Sequence, residues 1–189
     1  MKWNIPNFLT LLRIVLIPVF VVAFYLPGYE WQHVVTATIF FIAAISDWLD
    51  GYLARKLNQQ SAFGSFLDPV ADKLMVATAL VLLVTAAPGI HMAIPAAIII
   101  GREITISALR EWMASVGNKA KVRVSMIGKI KTTAQMLSIG MLLYHEPVGL
   151  FPTKEVGYTL LYLAAILTLW SMIIYLQASW ATLTREDHT

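Results

Sequence analysis

The chain alternates long apolar runs with short polar or turn-forming breaks. A helix that crosses a bilayer needs about 20 mostly apolar residues. Six segments meet that length, roughly 8–26, 34–53, 69–87, 92–112, 125–144 and 156–180. The breaks between them are Pro27-Gly28, the polar stretch Asn58 to Ser61, Pro88-Gly89, Gly117-Asn118, and Pro147 through Pro152. Asn4 to Asn7, with Pro6, reads as a short interfacial segment leading into the first helix. The pattern predicts an all-α membrane protein with six transmembrane helices. No repeat, low-complexity tract or shift in composition marks a second domain, so residues 1–189 read as one.

Composition agrees. The 189 residues are 58% hydrophobic and only 13% charged, against about a quarter charged in an ordinary soluble domain. So little polar surface cannot cover so apolar a chain, and lipid must solvate most of its exterior. There is no cysteine, which excludes disulfides, thiolate metal sites and thiol nucleophiles. The opening Met1-Lys2-Trp3-Asn4 suits a signal peptide, but the run from Phe8 to Leu26 is long and no small-x-small cleavage pattern follows it, so a retained first helix is expected.

The net charge of +3 matters less than where the charges fall. With both termini inside, the cytoplasmic segments and adjoining helix ends hold every Lys and Arg except Lys154. The positive-inside rule then predicts an even number of spans with both termini cytoplasmic.

Polar residues interrupt the spans in a particular way. Of the five aspartates, Asp47, Asp50, Asp68 and Asp72 lie at the end of the second span and the start of the third. A short cytoplasmic hairpin joins those spans and brings all four to one membrane level. Asp47 and Asp50 are spaced i, i+3, and Asp68 and Asp72 i, i+4, so each pair shares a helix face. Carboxylates cost about 2.5–3.5 kcal/mol each at mid-bilayer, less near an edge, and four together repel one another. Divalent cations relieve both penalties, and hard oxygen ligands favour Mg²⁺ or Mn²⁺ over zinc. Four carboxylates can hold two ions, an apparatus suited to in-line displacement at phosphorus. The structural alternatives are that Asp68, before Pro69, caps a helix, and that Asp47 and Asp50 pair with Arg55 and Lys56.

The spacing Asp47-x2-Asp50-Gly51-x2-Ala54-Arg55-x8-Gly64-x3-Asp68-x3-Asp72 resembles, without a departure, the signature of the CDP-alcohol phosphatidyltransferases. Members exchange the CMP of a CDP-linked lipid or alcohol for another alcohol, using two divalent metals. The resemblance implies that Asp47, Asp50 and Asp68 hold one ion and that Asp47, Asp68 and Asp72 hold the other, with Asp72 as general base. It also implies that Gly51, Ala54, Arg55, Ser61 and Gly64 bind the CDP group. Small residues at 51 and 54 let a flat base approach the helix, or serve close helix packing. Arg55 has a fork suited to a diphosphate. Asn7 and Thr10 resemble further CDP contacts, and both also suit a helix cap.

The resemblance extends over nearly the whole chain. It is carried by Asn4 to Arg13, by Gly101-Arg-Glu-Ile-Thr-Ile-Ser-Ala-Leu-Arg110 and by Gly128-Lys-Ile-Lys-Thr-Thr133. Within the family it implies CDP-diacylglycerol as donor and glycerol 3-phosphate as acceptor, in a homodimer of the bacterial inner membrane with its active site facing the cytoplasm. A dianionic acceptor needs fixed cations near the metals but not on them. Arg102 and Arg110 lie eight residues apart, about 80° around one helix. They and Lys129 are the expected acceptor contacts, with Lys131 undecided between that role and a lipid headgroup contact. Lys119, Lys121 and Arg123 read as headgroup contacts. Another acceptor, such as serine, inositol or phosphatidylglycerol, would keep the same fold and reaction. A cation transporter would spread its acidic residues through the membrane depth, whereas these crowd at one edge. Nothing in the sequence suggests a nucleic-acid partner.

Overall fold

The computed structural model describes residues 5–26, 31–56, 62–115 and 126–183, and at residues 5, 6, 48, 50–55, 62, 63, 65, 126, 127, 129 and 178–183 the backbone only. Six helices follow in order: α1 (Ile5–Tyr25), α2 (Gln32–Lys56), α3 (Ala62–Ala86), α4 (Ile90–Ser115), α5 (Met126–Tyr144) and α6 (Thr153–Leu183). Each contains most or all of one predicted apolar segment. Among the described residues, four stretches are long and apolar enough to cross a bilayer: Asn7–Tyr25, Phe66–Ala86, Ile90–Ser115 and Thr153–Gln177. In α2 the apolar stretch among the described residues is Gln32–Asp47. Helix α5 has 19 residues and spends some of them on Lys129, Lys131 and Gln135.

Two local expectations change. Ile5 to Asn7 do not form a separate lead-in; they are the first turn of α1, where Pro6 is tolerated because first-turn amides lack helical partners. Helix α3 already includes Ala62, so Asp68 is not an N-cap and Pro69 lies inside the helix. Proline there leaves the carbonyl four residues earlier without its usual donor. The capping explanation of Asp68 is therefore lost.

Helix α3 is central and packs on α1, α2, α4 and α5, while α5 and α6 form the most extensive pair and α1 and α2 the next. Phe20, Phe40, Leu80, Ile99, Ile139 and Leu161 fill the shared core, each at most 1% exposed. Large apolar side chains on the outside, including Val22, Ile45, Ile104, Ile166 and Trp170, stay exposed. That is the distribution expected when the outer solvent is hydrocarbon. At the α2–α5 contact, a Cβ on Gly140 would run into the Phe41 ring. Helices α5 and α6 are tied by Ser138 Oγ, which donates to the Gly157 carbonyl at 2.7 Å. Their connection closes through a tight turn, with paired backbone bonds between Val148 and Phe151. Gly149 has φ +62° there, a conformation that costs a side-chain-bearing residue and not glycine.

Candidate active site

Asp47 lies near the last turns of α2, and Asp68 and Asp72 lie one helical turn apart on α3. The packing brings these segments together, so Asp47 is within electrostatic range of both Asp68 and Asp72. Asp50, Gly51, Ala54 and Arg55 fall on α2 with side chains outside the described residues, and Ser61 lies wholly outside them. Gly64 is buried on α3.

Helix α1 supplies partners to the aspartates. Asn7, Thr10 and Arg13 recur at intervals of three residues along one side of the helix, and all three are buried. The Thr10 hydroxyl donates to Asp68 Oδ1. Arg13 Nη1 stands 2.9 Å from Asp47 Oδ1. Arg13 also joins Asp72 in lining a crevice with Phe40, Met75 and Met136. Its part in the site went unrecognised in the sequence, although a signal was there: it is the one charged residue in the apolar run 8–26, where a cation is costly without a partner.

No three carboxylate or imidazole groups among the described residues are arranged to enclose an ion. Asp47 faces Arg13 and Asp68 faces Thr10, while the fourth predicted ligand, Asp50, is not described at its side chain. The donor chemistry still fits hard divalent cations. Asp47, Asp68 and Asp72 come from two packed helices, with no softer sulfur or imidazole ligand among the predicted set.

Asp72 opens on a second space. A cavity of about 70 Å³ is lined by Asp72, Lys73, Glu103, Lys131, Thr132 and Gln135, with Val76 and Met136 below. Lys131 is 4% exposed, and its Nζ donates to Glu103 Oε1 at 3.0 Å. Arg102 Nη1 donates to the same oxygen at 2.6 Å, and its Nη2 reaches Ser171 Oγ at 3.5 Å. Buried Gln135 has no hydrogen-bond partner for its Oε1 among the described residues. Of the cations expected at the acceptor, Arg102 adjoins this cavity through Glu103. Arg110 lies over the Tyr175 ring at 5.4 Å, and the Lys129 side chain is outside the described residues. Lys131, left open by the sequence, lines the cavity beside Asp72 together with Lys73. Glu103 is a further lining residue, to which the sequence assigns no role.

A six-helix fold that gathers aspartates from the α2–α3 hairpin beside a cation-lined cavity defines a class. Over residues 3–170 the chain matches the CDP-alcohol phosphatidyltransferase family, and it belongs to that family. Its relatives narrow the comparison. It is 57% identical to the CDP-diacylglycerol–glycerol-3-phosphate 3-phosphatidyltransferase of Haemophilus influenzae, covering 95% of each chain. Proteins of the same name from Salmonella paratyphi A and Shigella flexneri are 53% and 51% identical, over 95% and 97% of this chain and 96% and 98% of theirs.

Proposed function

We propose that this protein transfers the phosphatidyl group of CDP-diacylglycerol to the hydroxyl of glycerol 3-phosphate, giving phosphatidylglycerophosphate and CMP. The observation that carries the acceptor assignment is the cavity in which Asp72 sits beside Lys73 and Lys131. A carboxylate that can take a proton adjoins cations that can bind a phosphate. Neutral inositol and zwitterionic serine offer no dianion to these cations. The activity for which the relatives are named supports the same reaction.

On this reading Asp47, Asp50 and Asp68 hold one divalent cation, Mg²⁺ or Mn²⁺, and Asp47, Asp68 and Asp72 hold a second. When bound, such cations would stabilise charge on the diphosphate and on the departing CMP. Arg55, Gly51, Ala54, Ser61, Gly64, Asn7 and Thr10 seat the CDP group. Arg13 keeps Asp47 oriented from α1, and Thr10 does the same for Asp68. Asp72 faces the acceptor cavity and takes the hydroxyl proton as the oxygen–phosphorus bond forms. A weak base suffices when proton transfer need only keep pace with that bond. Lys131, with Arg102, Arg110 and Lys129 nearby on α4 and α5, receives the acceptor phosphate and so turns the hydroxyl toward Asp72.

The same reading places six spans in the bacterial inner membrane, with both termini and the active site cytoplasmic and the chain acting as a single domain. The family resemblance alone supports a homodimer. The direct test supplies purified protein with CDP-diacylglycerol, Mg²⁺ or Mn²⁺, and in separate reactions glycerol 3-phosphate, serine, inositol or phosphatidylglycerol. Mass spectrometry should find phosphatidylglycerophosphate from the first alone. Preference for another alcohol would reassign the acceptor, and no CMP release with any of them would sink the proposal.

A further inference from the structure

We propose that Glu103 is a positioning residue that sets selectivity for a phosphorylated acceptor by holding the Lys131 ammonium at the wall of the Asp72 cavity. The inference rests on the acceptor reading above. A carboxylate beside an anion site needs a reason, because its own charge repels the ligand.

The geometry supplies one. A single oxygen, Glu103 Oε1, accepts from Lys131 Nζ at 3.0 Å and from Arg102 Nη1 at 2.6 Å. Lysine carries a compact charge on a flexible stem and otherwise extends its head toward water. Here the ammonium is buried, and burial without a partner is strongly unfavourable. Glu103 therefore retains the cation inside. One of its three N–H donors is spent on Glu103, which leaves two for a ligand.

Glu103 is itself fixed from the backbone. Ser107 Oγ donates to the Glu103 carbonyl, and Lys73 Nζ donates to Ser107 Oγ, so α3 and α4 are joined at this turn. Helix α4 packs on α3 and α6, and α5 packs on α2, α3 and α6. The Glu103–Lys131 pair thus connects α4 to α5 across the cavity itself. Around the space stand Lys73, Arg102 and Lys131 against Asp72 and Glu103, a residual positive charge with its cations at set positions.

The sign of one measurement separates this role from that of a bystander charge. Glu103→Gln removes a negative charge next to an anion site, so electrostatics alone would lower the KM for glycerol 3-phosphate. Positioning requires the reverse: a rise of about tenfold or more, the scale of one lost charged hydrogen bond, with the CDP-diacylglycerol KM little changed. A charge swap, Glu103→Lys with Lys131→Glu, restores the ion pair but moves the ammonium from α5 to α4. It should recover thermal stability and not the acceptor KM. Recovery of normal glycerol 3-phosphate use in the swap would show a simple brace and overturn the proposal. An unchanged or lowered acceptor KM in Glu103→Gln would do the same. If that variant does not accumulate, Glu103→Asp, which keeps the charge and shortens the reach, must still raise the acceptor KM several-fold. Wild-type turnover is the control: failure to use glycerol 3-phosphate at all defeats the acceptor reading, whereas use that ignores Glu103 defeats this inference alone.

Discussion

Arg13→Met tests whether α1 holds the aspartate site together. Methionine keeps most of the apolar stem and removes the guanidinium. The Arg13 side chain is 1% exposed and its partner Asp47 is 40% exposed, with 2.9 Å between them. A fully exposed ion pair contributes about 0–1 kcal/mol, and breaking a fully buried one costs about 3–5 kcal/mol. One buried and one half-open partner put this pair between those limits, at about 2 kcal/mol. In a chain of this size that lowers the melting temperature by about 4–8 °C. The assay is reversible unfolding in mixed detergent micelles with EDTA present, so that no cation competes for Asp47. Asp47→Asn should also destabilise, because it takes the 2.9 Å carboxylate partner from the buried Arg13. The double variant should recover part of that loss, and the cycle should return a coupling of about 2 kcal/mol. A coupling below about 0.5 kcal/mol would refute the argument that burial makes this pair structural.

Asp72→Asn should lower turnover by about 10²–10⁴-fold, the usual worth of a general base, while CDP-diacylglycerol binding persists; Asp47→Asn should lose both, and equal near-normal rates would refute the assignment. EDTA should silence the wild type in the same assay, and Mg²⁺ or Mn²⁺ should restore it. Lys131→Met should raise the acceptor constant about ten- to hundredfold with little effect on the donor, whereas Arg55→Ala should show the opposite pattern in the same kinetics. In a chain without native cysteine, a cysteine at Glu146 should react with an impermeant maleimide from outside intact cells and one at Lys56 should not; the reverse labelling would invert the topology. Gly140→Leu should destabilise by about 1–3 kcal/mol in thermal unfolding, because the Phe41 ring occupies the space of its side chain.

Much of this protein is local and could be read along the chain. Hydrocarbon length sets the span of each apolar run, so six helices follow from the runs and their Pro and Gly breaks. Helical periodicity places Asp47 with Asp50, and Asp68 with Asp72, before any neighbour is known. The eight-position signature then names the family. What stays hidden is the rotation of one helix against another, because in a chain apolar on nearly all sides no amphipathic stripe says which face turns inward. Packing alone turns Arg13 onto Asp47 and Thr10 onto Asp68, a residue 58 positions away. The sequence favours Lys129 for the acceptor and leaves Lys131 undecided; residues two apart on a helix do not share a face, and the described packing puts Lys131 at the cavity. Glu103 lies in the predicted span 92–112, and the sequence alone does not say which partner it faces. Its meaning lies in a lysine 28 residues away, on another helix that lines the same cavity.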